Sequence, residues 1–95
     1  MKKNTGATVF IGGGNMATAL IGGRIGAGAA AKEFRVVEPS PSQRESLVAR
    51  FAGIRVFPET TAEAVGRADV VVLAVKPQQM AAAAKALAPH VRDVK

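Results

Sequence analysis

The 95-residue sequence contains no cysteine and only one histidine, His90, and no apolar stretch in it reaches the roughly 18 residues that a membrane-spanning helix needs. Without cysteine the chain has no disulfide framework, no zinc site built on thiolates and no cysteine nucleophile. A single histidine disfavours a histidine metal cluster and a Ser-His-Asp triad. The composition therefore predicts neither a hydrolase of these classes, nor a metal site, nor a membrane protein.

Acidic residues are also few, since 7 aspartates and glutamates stand against 13 lysines and arginines and leave a formal net charge of +6. The basic residues are scattered in runs no longer than two, and the four phenylalanines are not interleaved with them. Nucleic-acid-binding surfaces combine clustered cations with aromatic stacking platforms, so we expect no nucleic-acid partner. Positive charge equally suits a small anionic ligand. A basic nucleic-acid-binding domain stays an alternative, which steep salt dependence of DNA affinity would favour.

The start of the chain, Met1-Lys2-Lys3, has the basic residues of an export signal. The apolar segment that follows is interrupted at 12–15 by three glycines and an asparagine, whereas such signals have a continuous apolar region. The sequence therefore predicts no export signal, and we expect a cytoplasmic protein.

Short apolar runs alternate with segments of helical periodicity along the chain. We predict strands at 8–11, 34–37, 54–57 and 70–75, and helices at about 15–26, 41–51, 61–65 and 77–87. This alternation is typical of an α/β fold: a Rossmann-like doubly wound parallel sheet in three layers, α/β/α, with right-handed crossovers. The unbroken apolar run at 70–75 predicts a strand with both faces covered. No further strand follows before Lys95, so we expect a truncated domain with apolar surface exposed on this last strand.

Two helix starts carry capping signals. Ser40 is placed to cap the second helix, with Pro41 at its first position and Gln43 completing a capping box. Thr60 and Glu63 form the same pattern ahead of the third helix. Both patterns give these polar side chains a structural role.

The first predicted strand runs directly into Gly12-Gly13-Gly14-Asn15-Met16-Ala17, which satisfies the pattern G-x-G-x-x-G/A. Gly12 permits a tight turn, Gly14 leaves room for a pyrophosphate to approach the backbone, and Ala17 lets the helix pack on the strand. The free N–H groups and the positive dipole end of that helix would face the phosphates. The pattern predicts a dinucleotide site, with a glycine turn that binds nothing as the alternative.

The segment Ala74-Val75-Lys76-Pro77 leaves the fourth predicted strand. In a doubly wound sheet the strand order reverses between the first and fourth strands, and ligands bind beyond their carboxyl ends. This segment and the glycine loop should therefore face each other. Lys76 would neutralise phosphate or offer its backbone to a ribose, or else it is a solvated lysine, and Pro77 is explained as a helix start.

The residue at the end of the second strand decides between the two nicotinamide dinucleotides. Glu38 stands there, and an acidic residue at this point accepts hydrogen bonds from the adenosine ribose and repels a 2′-phosphate, which favours NAD. However, Ser40, Ser42 and Arg44 follow within one turn, beside a helix N-terminus that attracts phosphate. The sequence leaves NAD against NADP open.

These residues resemble a known family. The segment 10–17, continued by 19–23, resembles the opening of pyrroline-5-carboxylate reductase, and 74–78 resembles the second cofactor segment of that family. The related F420-dependent NADP reductases share the glycine loop but match 74–77 less well. The resemblance covers nearly the whole chain. It implies reduction of 1-pyrroline-5-carboxylate to L-proline by NADPH or NADH, the last step of proline biosynthesis.

The resemblance also implies which residues contact the dinucleotide, and to these we add Glu38 and Ser40 from the reasoning above. The full candidate set is Ile11, Gly12, Gly13, Gly14, Asn15, Met16, Glu38, Ser40, Ala74, Val75, Lys76 and Pro77. Thr61 stands where the family often has asparagine, so that contact is not carried over. No residue of the chain is a candidate catalytic group or metal ligand.

The largest departure from the family concerns length. The substrate site and dimer interface of the family belong to a helical C-terminal domain, to which nothing in this sequence corresponds. We therefore expect residues 1–95 to be an N-terminal dinucleotide-binding domain that is inactive alone, in a full-length enzyme that is a homo-oligomer. The alternative is a non-catalytic nucleotide-binding or nucleotide-sensing module.

Overall fold

The computed structural model describes residues 7–90, so the basic start Met1-Lys2-Lys3 and the chain end at Lys95 lie outside the described residues. In chain order the elements are β1 (Ala7–Ile11), α1 (Asn15–Gly26), β2 (Phe34–Val37), α2 (Pro41–Arg50), β3 (Arg55–Phe57), α3 (Ala62–Val65), β4 (Ala68–Leu73) and α4 (Pro77–Leu87), with short 3-10 turns at Ala31–Glu33 and Ala88–His90. Within this range, none of the helices combines the length and apolar character required to cross a bilayer.

The four strands form one parallel sheet in the order β3-β2-β1-β4. The strand β1 is central, so that Phe10 pairs with Val36 on one side and with Val72 on the other. The chain crosses from β3 at one edge to β4 at the far edge, which places the reversal of strand order between β1 and β4. The predicted doubly wound α/β topology is confirmed.

Helices cover both faces of the sheet because the side chains of each strand alternate between two hydrophobic clusters. Phe10 of β1 packs with residues of α1 and α2 on one face. Its neighbours Val9 and Ile11 point to the other face and pack with residues of α3 and α4. This arrangement gives the three layers, α/β/α, that the sequence predicted.

The prediction for the last strand was wrong in two respects. The strand covers Ala68–Leu73, two residues earlier than 70–75, so Ala74 and Val75 belong to the loop that follows. Its faces are also only partly covered: Val70 is 51% exposed, as the expected truncation implied and the apolar run did not. The reason is that β4 is an edge of the sheet among residues 7–90 and pairs only with β1.

The two predicted capping boxes are confirmed only in part. Ser40 does cap α2, because its Oγ accepts a hydrogen bond from the Gln43 backbone N–H at 3.3 Å. The return bond of a capping box is absent from the described residues, since the Ser40 backbone N–H donates to Glu38 and the Gln43 side chain donates to Gly13. At α3 the capping residue is Thr61 and not its neighbour Thr60.

Arg35 of β2 joins the sheet to the end of α3 through two hydrogen bonds. Its Nη1 donates to the carbonyl oxygens of Ala64 and Gly66, each at 2.8 Å. Burial, followed by the positive charge of Arg55, lowers the pKa of Arg35. Arginine remains protonated at neutral pH even so, and hydrogen bonds from a charged donor are among the stronger ones in proteins.

The two adjacent residues Leu47 and Val48 of α2 allow a matched test of the core, because Leu47 is 1% exposed and Val48 is 47% exposed. We expect Leu47→Ala to lower the free energy of unfolding by about 2–5 kcal/mol through lost burial and a cavity. Val48→Ala should lower it by less than about 0.5 kcal/mol. Urea unfolding of both variants measures the difference, and equal losses would show that the α2 face is assigned incorrectly.

Candidate functional site

The turn from β1 to α1 passes so close to the end of β4 that a side chain cannot fit. Gly12 has a φ of +107°, and a Cβ added there would lie 2.4 Å from the Ala74 carbonyl oxygen. The neighbouring backbones are locked by two further hydrogen bonds of 2.8 Å, from the Gly12 N–H to Val37 and from the Ala74 N–H to Ile11. Only glycine has both the backbone freedom and the size for this position.

The next two glycines differ from each other in their surroundings. A Cβ at Gly13 would lie 2.9 Å from the side chains of both Leu47 and Val36, so Gly13 rests directly on the core. A Cβ at Gly14 would meet nothing within 4 Å, and its φ of −82° suits any residue. The absence of a side chain at Gly14 is therefore not required by packing, and it leaves the start of α1 open to a ligand.

The start of α1 has no side-chain cap among the described residues, with Gly14 in the capping position. By contrast, Ser40 and Thr61 cap α2 and α3. The first N–H groups of any helix lack intrahelical partners, and they carry the positive end of the helix dipole. An uncapped helix start behind an open glycine suits an anionic group such as a pyrophosphate.

Two side chains of the β2–α2 region, those of Glu38 and Gln43, form hydrogen bonds with the backbone of Gly13. Its N–H donates to Glu38 Oε1 at 2.9 Å, and its carbonyl oxygen accepts from Gln43 Nε2. The second oxygen of the same carboxylate, Oε2, accepts from the Ser40 N–H at 2.9 Å. Glu38 therefore fixes the glycine loop relative to the end of β2.

The polar residues that the sequence offered as a phosphate site are engaged elsewhere. Arg44 Nη1 donates to the carbonyl oxygens of Glu38 at 2.8 Å and Pro39 at 2.9 Å. The Ser40 hydroxyl caps α2 and lies 3.2 Å from the Ser42 hydroxyl. Arg44 lies in a separate groove between α2 and β3, together with Val48 and Val56. These contacts hold the β2–α2 loop in place.

A cleft of about 560 Å³ opens beyond the carboxyl ends of the strands, a size within the usual range for small-molecule sites. Its walls are the segments 11–14, 37–39, 58–60 and 74–76 and one face of α4. It brings together the predicted residues Ile11, Gly12, Gly13, Gly14, Glu38, Ala74, Val75 and Lys76. Asn15, Met16, Ser40 and Pro77 border these segments in sequence but do not line the cleft.

Sequence reasoning missed the wall formed by 58–60 and by the α4 residues Gln79 and Ala83. The position of 58–60 had a usable signal, because the carboxyl ends of all parallel strands meet at one edge and Pro58 directly follows β3. The α4 wall had no such signal, because alanines at 81–84 and 86 surround the helix and mark no single face.

Charge is unevenly distributed around the cleft. Glu38 and Glu59 follow β2 and β3 on one side, and Lys76 follows β4 on the other. Lys76 is exposed, caps α4 without a side-chain hydrogen bond and accepts one from the Gln79 N–H through its carbonyl oxygen at 2.8 Å. Residues 7–90 contain no group of three or more side chains able to hold a metal ion.

Comparison with known proteins agrees with this geometry. The family model described as NADP oxidoreductase, coenzyme F420-dependent, matches residues 8–94. The chain is 48% identical over 89 residues to a pyrroline-5-carboxylate reductase of Pseudomonas aeruginosa, covering 94% of this chain and 32% of that protein. It is 39% identical over 79 residues to the one of Pasteurella multocida, covering 82% of this chain and 29% of that protein.

A solved structure of a pyrroline-5-carboxylate reductase from Coxiella burnetii superposes on the chain with a TM-score of 0.84 and 31% identity, covering 96% of this chain and 33% of that one. The chain thus spans about a third of the length of the curated relatives that it matches. The resemblance found in the sequence is confirmed: the relatives that the chain matches are pyrroline-5-carboxylate reductases, and the chain belongs to the family described as NADP oxidoreductase, coenzyme F420-dependent.

Proposed function

We propose that residues 1–95 form the dinucleotide-binding domain of a pyrroline-5-carboxylate reductase, which reduces 1-pyrroline-5-carboxylate to L-proline in the last step of proline biosynthesis. The observation that carries the proposal is the uncapped start of α1, which lies behind the open position of Gly14 at the mouth of the cleft. The names of the similar proteins supply the reaction.

The residues present fit a nicotinamide dinucleotide. We place the pyrophosphate at the start of α1, where the backbone N–H groups of Asn15 and Met16 lack intrahelical partners and Gly14 leaves the approach free. Lys76, across the cleft, supplies a positive charge, and Ala74 and Val75 contribute the backbone beside it. Glu38 lies where the adenosine ribose binds in folds of this type.

The work of this domain is positioning. A reduced nicotinamide supplies the hydride that the imine carbon of the substrate accepts. The chain orients that ring by binding the other end of the molecule. The glycine loop and the end of β4 are fixed by backbone hydrogen bonds, and the Glu38 carboxylate is fixed to the loop through the Gly13 N–H. Holding two reactants in the correct geometry contributes up to about 7–11 kcal/mol to catalysis.

The remaining parts of the enzyme belong to the same proposal. We place the substrate wall and the subunit interface in the portion of the longer relatives that this chain does not span, in a helical C-terminal domain. The complete enzyme is a cytoplasmic homo-oligomer. The cleft in residues 7–90 leaves room for such a substrate wall because it is an open groove, lined by the loops that follow the strands and by one face of α4.

Gly14→Asp tests the glycine-loop site. We expect the variant to fold normally, because the added side chain enters empty space, and to lose at least about tenfold in affinity for NADH and NADPH, because a carboxylate then occupies the pyrophosphate position. Gly23→Asp, within α1, is the matched control, since it makes the same substitution at another glycine whose added Cβ would meet nothing within 4 Å. Isothermal titration calorimetry measures both. Unchanged affinity in Gly14→Asp would place the dinucleotide elsewhere.

The isolated 95-residue chain should bind cofactor without turning over. We expect no oxidation of NADH or NADPH above background when 1-pyrroline-5-carboxylate is added, because the chain supplies one wall of the site and no candidate proton donor to the imine. Cofactor absorbance follows the reaction, and a binding titration on the same sample verifies that the protein is folded. Steady formation of proline by this chain would show that it contains the catalytic groups.

A further inference from the structure

The distribution of charge in the cleft points to which dinucleotide the chain selects. We propose that Glu38 and Glu59, at the adjacent ends of β2 and β3, make the cleft bind NADH in preference to NADPH by opposing the 2′-phosphate. The inference rests on the proposed function, because it presumes that the cleft holds a dinucleotide. It goes further by naming the form of the cofactor and by assigning a role to Glu59.

Glu38 is held in a single orientation. One carboxylate oxygen accepts the Gly13 N–H and the other accepts the Ser40 N–H, both at 2.9 Å. Each oxygen retains a further acceptor site, so the carboxylate still accepts hydrogen bonds from ribose hydroxyls. It cannot turn away from a 2′-phosphate without breaking both bonds to the backbone.

Glu59 adds a second negative charge beside the first. The Glu38 N–H donates to the Phe57 carbonyl oxygen at 2.8 Å, so the end of β2 is joined directly to the end of β3. Glu59 follows two residues after Phe57 and lines the same cleft. A phosphate dianion at the ribose would therefore meet two carboxylates, whereas the neutral 2′-hydroxyl of NADH would meet two acceptors.

Two basic residues near the cleft could offset this repulsion. Arg44 does not line the cleft, because it lines a separate groove and its Nη1 donates to the carbonyl oxygens of Glu38 and Pro39. Lys76 follows β4, which is separated from β2 by the central strand β1. Among the described residues that line the cleft, Lys76 is the only basic one.

The test compares the dissociation constants of NADH and NADPH for the 95-residue chain and three variants at low and high salt. We expect NADH to bind about tenfold more tightly than NADPH at low salt, and this ratio to fall as salt screens the carboxylates. Glu59→Gln should tighten NADPH binding about threefold or more and leave NADH binding within about twofold. Glu38→Gln also removes one acceptor from the glycine loop and the ribose, so its expected effect is on the ratio of the two dissociation constants, which should fall about threefold or more. Glu33→Gln removes the same charge at the opposite end of β2 and should change neither constant.

The outcomes separate the two proposals. Equal or tighter binding of NADPH by the unmodified chain, or a preference that does not vary with salt, would overturn the selection by charge. An unchanged ratio in Glu59→Gln would remove Glu59 from it, and this exposed residue makes no hydrogen bond in the described structure whose loss would disturb folding. Binding of neither cofactor would instead refute the proposed function itself.

Discussion

The close contact between the β1–α1 turn and the end of β4 is the constraint on which the rest of the site depends. Because the Gly12 backbone lies against the Ala74 carbonyl, with no space for even a methyl group, the ends of the two strands meet at the point where strand order reverses. A side chain at this position would push the two loops apart. The cleft, the start of α1 and Lys76 would then no longer face one another.

The same turn couples the hydrophobic core to the polar site. Gly13 rests on Val36 and Leu47 below, while Glu38 and Gln43 bind its N–H and its carbonyl oxygen above. Loss of packing beneath the loop therefore alters the geometry in which the cleft holds its ligand, and loss of Glu38 loosens the loop as well as removing a charge. Stability and binding are consequently not separable at Gly13, whereas Gly14 next to it has no packing neighbour within 4 Å of an added Cβ, so a substitution there tests binding alone.

Sequence reasoning succeeded where a local pattern decides the structure. The first helix and the second strand have the predicted bounds, and Ser40 is a cap, because helical periodicity, glycine turns and caps act over a few residues. It failed where the partner is distant in sequence. Gln43 bonds to Gly13, 30 residues away, in place of its own capping residue. The bounds of β4 likewise depend on its pairing with β1, a pairing that begins at Ala68, and an apolar run reports only the preference of its own residues.

The net charge of the whole chain and the charges that line the cleft affect the binding of an anionic ligand in different ways. The chain carries +6 overall, which attracts any anionic cofactor from a distance. Within the cleft, however, the cation lies on the β4 side and the two carboxylates lie on the β2–β3 side. Long-range attraction raises the rate at which phosphate-bearing molecules arrive, but contact distances determine which of them stays. Under the proposed function, this polarity also gives the bound molecule a direction, with its pyrophosphate toward Lys76 and the start of α1 and its ribose hydroxyls at Glu38.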